Sequence, residues 1–172
     1  MSQFVSEIIA IGGRELEREE EFQQWFFRRR GEVGGVLRIN LPCWRQYVFG
    51  RAILPKYKAK LQFYNNEHCF AELTVKFERK NYLFIMEKWQ EGEPLTALTE
   101  SIGKLAKHSP EAYLLVFSAS PIGQTERHLD LIDGLPGLRN RTSLHRFRTK
   151  NEKGEDYEFW IGGWHAASSG RT

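Results

Sequence analysis

The sequence predicts an α+β fold: a single domain with a mostly antiparallel sheet of about five to seven strands, an N-terminal helix, and one or two further helices packed on the sheet. Three observations predict it. Residues 14–30 contain neither Gly nor Pro and carry acids first and arginines last; short β-rich runs separated by turn residues fill 35–89; and an unbroken apolar run at 112–120 follows an amphipathic stretch at 94–107. A chain of 172 residues with 41% hydrophobic and 27% charged residues is of ordinary globular size and composition. One domain spanning 1–172 is expected, fraying at 1–13 and 166–172.

Taken in order, residues 14–30 (RELEREEEFQQWFFRRR) have the charge order that a helix dipole favours. Leu16, Phe22, Trp25, Phe26 and Phe27 gather in the second half, so that half is expected to dock and the acidic first turns to be solvated. Arg28, Arg29 and Arg30 then read as charge at a helix C-terminus. The runs "GVLRINLP", "WRQYVFGRAIL", "KYKAKLQFY", "CFAELTVKF" and "NYLFIMEKW" read as strands, broken at Pro42, Pro55, Asn65-Asn66 and between Glu78 and Asn81. Ala71, Leu73, Val75 and Phe77 alternate with Glu72, Thr74 and Lys76, the mark of a strand with one buried face. Connections this short allow only antiparallel neighbours, so a meander of four or five strands is expected. Pro94 suits the first position of a helix to about residue 107, with Leu95, Leu98, Ile102 and Leu105 on one stripe. "AYLLVFSAS" at 112–120 reads as a strand covered on both faces. A short helix at 124–133 ending at Gly134 and a hairpin of "SLHRFRT" and "YEFWIGGW" turning at Gly154 complete the chain.

Several chemistries find no support in the motifs. Cys43 and Cys69 lack C-x-x-C spacing and read as free thiols, and the histidines His68, His108, His128, His145 and His165 show no paired metal-ligand spacing. There is no Walker A loop, dinucleotide fingerprint or G-x-S-x-G elbow; "SASPIG" only places Ser118 and Ser120 at the carboxyl end of a strand. No apolar stretch approaches the ~20 residues needed to span a bilayer, and no signal-like h-region opens the chain, so a cytoplasmic protein without a membrane partner is expected.

Charge distribution says more than the net +3. Acidic residues crowd into 15–21 and 151–158, whereas 44–60 holds Arg45, Arg51, Lys56, Lys58 and Lys60 among Trp44, Tyr47, Phe49 and Tyr57, with no acid. A second basic stretch, 138–150, holds Arg139, Arg141, Arg146, Arg148 and Lys150 with His145 and Phe147. Cations contact phosphates and exposed rings stack on unpaired bases, so both stretches point to RNA or DNA binding through basic and aromatic strands. In "LHRFRT", alternation puts Arg146 and Arg148 on one face and His145 and Phe147 on the other. His145 beside arginines has the residue types for acid–base cleavage of RNA; a surface histidine is the plainer reading.

The order helix, antiparallel strands, helix, strand over residues 14–120 resembles the core of the restriction-endonuclease-like nucleases. That resemblance implies carboxylates holding a divalent metal such as Mg²⁺ and a lysine steadying the attacking water. Its nearest text here is "AELTVKF" followed by "LFIMEKWQ", which nominates Glu72, Lys76 and Glu87. The sequence departs from the family in two ways. Glu87 and Lys88 are adjacent where the motif wants one residue between them, and the three aspartates, Asp130, Asp133 and Asp156, all lie downstream. For Glu72 and Lys76 the plain alternative is a solvated strand face, and for Glu87 an ion pair at a strand end.

Two functional expectations follow. The first is a nucleic-acid-associated protein, in its sharpest form a degenerate nuclease of that kind. The second is a non-enzymatic protein-binding module, an adaptor, inhibitor or assembly factor, with Trp89, Trp160 and Trp164 as partly exposed anchors.

Overall fold

The computed structural model describes residues 3–28, 44–65, 69–108, 111–150 and 153–167, with side chains at all of these except 20–28, 44, 65 and 69. The elements are α1 (Gln3–Arg28), α2 (Trp44–Ile53), β1 (Lys58–Asn65), β2 (Cys69–Phe77), β3 (Lys80–Lys88), α3 (Thr96–Leu105), β4 (Ala112–Pro121), α4 (Thr125–Asp133), β5 (Leu138–Lys150) and β6 (Asp156–Ala166). The six strands form one sheet in the order β1-β2-β3-β4-β6-β5. All neighbours are antiparallel except β3 and β4, which run parallel from Leu83↔Ala112 to Lys88↔Phe117. A parallel pair needs a crossover, and α3 supplies it. The architecture is therefore the expected α+β domain.

Strand alternation divides the core in two. Ala71, Leu73, Val75, Phe84, Met86, Leu115, Phe117, Phe159 and Ile161 face α1 and α2. Leu83, Ile85, Leu114, Val116, Trp160 and Trp164 face α3 and α4. The middle strands β3, β4 and β6 are consequently buried on both sides, which is why "AYLLVFSAS" reads as continuous apolar text.

Four expectations are corrected. The chain is ordered from Gln3: Phe4, Val5, Ile8 and Ile9 are core residues at helical spacing, and the Phe4 ring stacks on Phe77 at 4.1 Å. Gly12 and Gly13 do not break this helix; an added Cβ would lie 2.3 Å from the Phe49 ring and 2.5 Å from that of His145, so they are where α1 packs closest to α2 and β5. Docking thus begins in the first turns, while the side chains of Phe22, Trp25, Phe26 and Phe27 lie outside the described residues. Second, "WRQYVFGRAIL" forms α2, because Gln46, Val48, Phe49 and Ile53 share a buried helical stripe that a strand would split between two faces. Third, the described meander has three strands, β1 to β3; the run "GVLRINLP", residues Arg29 and Arg30, Cys43, Glu67 and His68, and the 168–172 tail lie outside the described residues. Fourth, Trp89, Trp160 and Trp164 are fully buried, each indole N–H donating internally to Glu93 O, Ser120 Oγ and Asp133 Oδ1 respectively.

The β2–β3 turn holds Glu78 and Arg79 at φ of 50° and 68°, a left-handed pair that Asn-Gly adopts more easily. Replacing both, Glu78→Asn with Arg79→Gly, should raise stability by about 1 kcal/mol in urea denaturation. Ile8→Ala should lower it by about 2–5 kcal/mol with an unchanged denaturant slope. A loss below a few tenths of a kcal/mol would mean that the first helical turns are not part of the cooperative unit.

Candidate functional site

Helices cover the α3/α4 face of the sheet unevenly: α3 lies over β3 and β4, and α4 over β4, β5 and β6. On that face β1 and β2 present Lys58 directly opposite Lys76, and Lys60 opposite Thr74, all exposed. Like charges facing each other across strands are destabilising. Among the described residues none of these three lysines has an acidic partner. Tyr64 and Phe70 close the patch, their rings stacked at 4.9 Å, with Lys104 Nζ from α3 at 4.3 Å from the Phe70 centroid. Glu72 shares the face half-buried and accepts a 3.3 Å hydrogen bond from Tyr64. Burial, then the charge and hydrogen bond of Glu72, push the Tyr64 hydroxyl above its ordinary value.

The other basic residues are dispersed. Arg45 sits in the first turn of α2 with its guanidinium 5.1 Å from the Phe159 centroid. Arg51 at the far end of α2 lies 3.6 Å from Glu15 and 3.3 Å from Glu19, and Lys56 is exposed in the turn that follows. On β5, Arg139 and Arg148 are exposed, Arg141 lies 3.7 Å from Asp133, and Lys150 bonds Asp156 at 2.5 Å. Arg146 is fully engaged: its Nε and one terminal nitrogen grip Glu158 at 3.0 and 2.7 Å and the other donates to Glu126 at 2.8 Å. His145 points the opposite way, as alternation predicts, with Nε2 3.3 Å from Glu17 of α1. The strands β1 and β5 are the two edges of the sheet, roughly 24 Å apart at about 4.8 Å per strand step. The two basic stretches therefore do not form one sheet surface.

The glutamate set nominated by the nuclease resemblance does not converge. Lys76 is opposite Asn81, and Glu87 lies six positions further along β3, about 20 Å away at ~3.3 Å per residue. Glu87 is buried and accepts a hydrogen bond from Ser101 of α3, a tie between helix and sheet where a strand-end ion pair was the plain expectation. Among the described residues no three His, Cys, Asp or Glu side chains gather as a metal-binding set.

Sequence reasoning missed a polar network at the carboxyl end of β4. His128 of α4 is fully buried, with Nδ1 2.6 Å from Ser120 Oγ and Nε2 3.0 Å from Glu91, which also receives Arg127 at 2.6 Å. The Glu91 carboxylate can only accept, so Nε2 carries the proton it receives; in the neutral ring Nδ1 then accepts from the Ser120 hydroxyl, whose oxygen also receives Trp160 N–H at 2.8 Å. Glu91 is held below the ordinary carboxylate range, chiefly by Arg127 and then by His128. The Glu–His–Ser order suggests a nucleophile, yet the serine is the buried member and the carboxylate the exposed one, so the chain of bonds fastens α4 to the sheet. One signal was legible: Thr125, His128, Leu129 and Ile132 fall on one helical stripe.

Arg146 holds the Glu158 carboxyl below its ordinary value of 4.5, against partial burial and with help from a 2.6 Å bond donated by Thr125. A carboxyl whose value is lowered on folding contributes stability in full above its unfolded value and loses it as pH falls through the folded one. Urea midpoints measured between neutral pH and pH 3 should accordingly fall less steeply for Glu158→Gln below about pH 4.5 than for the parent chain. Parallel curves would show that the pair adds nothing to folding.

No protein-family model, curated protein or solved structure matches this chain, so its activity has to be argued from the chemistry of these surfaces.

Proposed function

We propose that the chain binds nucleic acid, RNA or DNA, across the uncovered β1–β2 face, with Lys58, Lys60 and Lys76 as phosphate contacts. The observation that carries this is the Lys58–Lys76 pair: two cations set directly opposite each other which, among the described residues, no helix covers and no acidic side chain pairs with. A polyanion removes that repulsion and gains the release of its own condensed counterions. Exposed Phe63 and Tyr47, their rings 6.3 Å apart, lie at the same sheet edge on its α2 side, where they offer stacking surface to a single strand that wraps around that edge from the lysine face. Binding without cleavage is proposed, because Lys76 and Glu87 stand too far apart to act on one metal-bound water. Of the residues nominated from sequence, Arg45, Arg139 and Arg148 are left to peripheral contacts, and Arg146 to the fold.

A second reading, a protein-binding module, draws on the same edge: Tyr47, Leu54 and Phe63 are exposed apolar side chains beside β1, which among the described residues has no strand on its outer side.

Anisotropy of labelled single- and double-stranded RNA and DNA at several salt concentrations tests the first reading. Affinity should fall steeply with salt. The triple variant Lys58→Glu, Lys60→Glu, Lys76→Glu should reduce the slope for a single strand by about 2, at roughly 0.7 per lost phosphate contact. Salt-independent binding, or a slope untouched by the triple variant, would leave the protein-partner reading in its place.

A further inference from the structure

We propose that a single pyrimidine ring, a base of the strand proposed above, binds in a small cavity under the first turn of α2. The ladder between the parallel strands β3 and β4 ends at Lys88↔Phe117, whereas β4 runs on to Pro121 beside β6, so the sheet has a notch where β3 stops. A cavity of about 140 Å³ occupies that notch, and its wall includes Gln46, Trp89, Phe117, Ser118, Ala119 and Phe159. Alternation along β4 turns Phe117 and Ala119 to the α2 side and Ser118 to the α3/α4 side; beyond the end of β3 one space meets both.

Two unpaired polar groups converge there. Among the described residues three buried side-chain atoms lack a hydrogen-bond partner; two of them, Gln46 Nε2 and Ser118 Oγ, belong to residues only 1% and 3% exposed that both line this cavity. The third, a terminal nitrogen of Arg141, has Asp133 at 3.7 Å. Buried amides and hydroxyls are almost always satisfied, so two unpaired ones in one cavity wall mark where a ligand's polar atoms belong.

Size and wall chemistry select the ligand. A cavity of roughly 150 Å³ holds one benzene ring, so a six-membered ring fits here and a fused purine does not. A plain hydrocarbon ring would leave both polar groups unpaired, and a sugar would press its hydroxyls against the buried rings of Trp89, Phe117 and Phe159. A pyrimidine has apolar faces and a polar rim. The Gln46 carboxamide offers a donor and an acceptor side by side, the complement of the acceptor and donor that adjoin on the edge of uracil or cytosine, and the O2 carbonyl of either base accepts from the Ser118 hydroxyl. That the ring is a nucleobase rests on the reading of the lysine face as a nucleic-acid surface; the cavity and its two unpaired groups do not.

Anisotropy of equal-length oligouridine and oligoadenosine strands, with thermal unfolding in free uridine, cytidine and adenosine, tests this. The pyrimidine strand should bind about tenfold more tightly than the purine strand, and Gln46→Leu should bring the two within about twofold while folding with an equal or higher Tm, because it removes an unpaired donor. Ser118→Ala should also reduce the preference and serves if the leucine variant does not fold. The triple lysine variant should weaken both strands alike and keep their ratio, so loss of strand binding and loss of base choice are separate results. Uridine and cytidine raising Tm while neither strand binds would identify the free nucleoside as the source of the ring and remove the strand reading. Equal affinity for the two strands with no effect of any nucleoside, a preference unchanged in both cavity variants, or adenosine raising Tm as much as uridine overturns the proposal.

Discussion

The parallel pairing of β3 with β4 is the constraint from which the rest of this architecture follows. Two strands that run the same way cannot be joined by a turn, so the chain must leave the sheet after Lys88, cross over as α3 and re-enter at Ala112. The crossing helix covers the strands it joins, which is why β3 and β4 are apolar on both faces. Among the described residues it leaves the outer hairpin β1–β2 uncovered on that side, where lysines are tolerated. The same pairing brings two strand carboxyl ends side by side, and the gap between them and α2 is the Gln46 cavity.

The polar interior is organised around this middle. Glu87 on β3 is tied to Ser101 on the crossover helix, and Ser120 at the end of β4 is tied to both Trp160 on β6 and His128 on α4. Each joins a helix to the strand it packs on, and each leaves its buried atoms paired, as low-dielectric interiors require. Gln46 is an exception within the core, and that contrast gives its unpaired amide meaning.

Charge is used in two distinct ways at the two edges of the sheet. On β5, arginines meet acids: Arg146 holds Glu158 and Glu126, and Arg141 approaches Asp133, so this basic stretch serves mainly to lock α4 and β6. On β1, lysines meet lysines or polar residues. The two stretches look alike in sequence because composition records which charges are present and not which partners the fold delivers.

By itself the sequence determined the α+β class, the strands β1 to β4, the one buried face of β2 and the two-sided burial of β4, the helices α3 and α4, and the β5–β6 hairpin turning at Gly154, because each rests on local periodicity or a turn residue. Tertiary structure alone decided the rest. It made a helix of Trp44–Ile53, whose aromatic and β-branched text suits a strand until Val48, Phe49 and Ile53 must share one buried side; it drew Phe4 to Ile9 into the core through close packing at Gly12 and Gly13; and it buried the tryptophans taken for surface anchors. The lysine patch and the Gln46 cavity were legible only as residue types. Their chemistry depends on which strands lie beside one another and which faces the helices cover, and those are long-range pairings that no local pattern encodes.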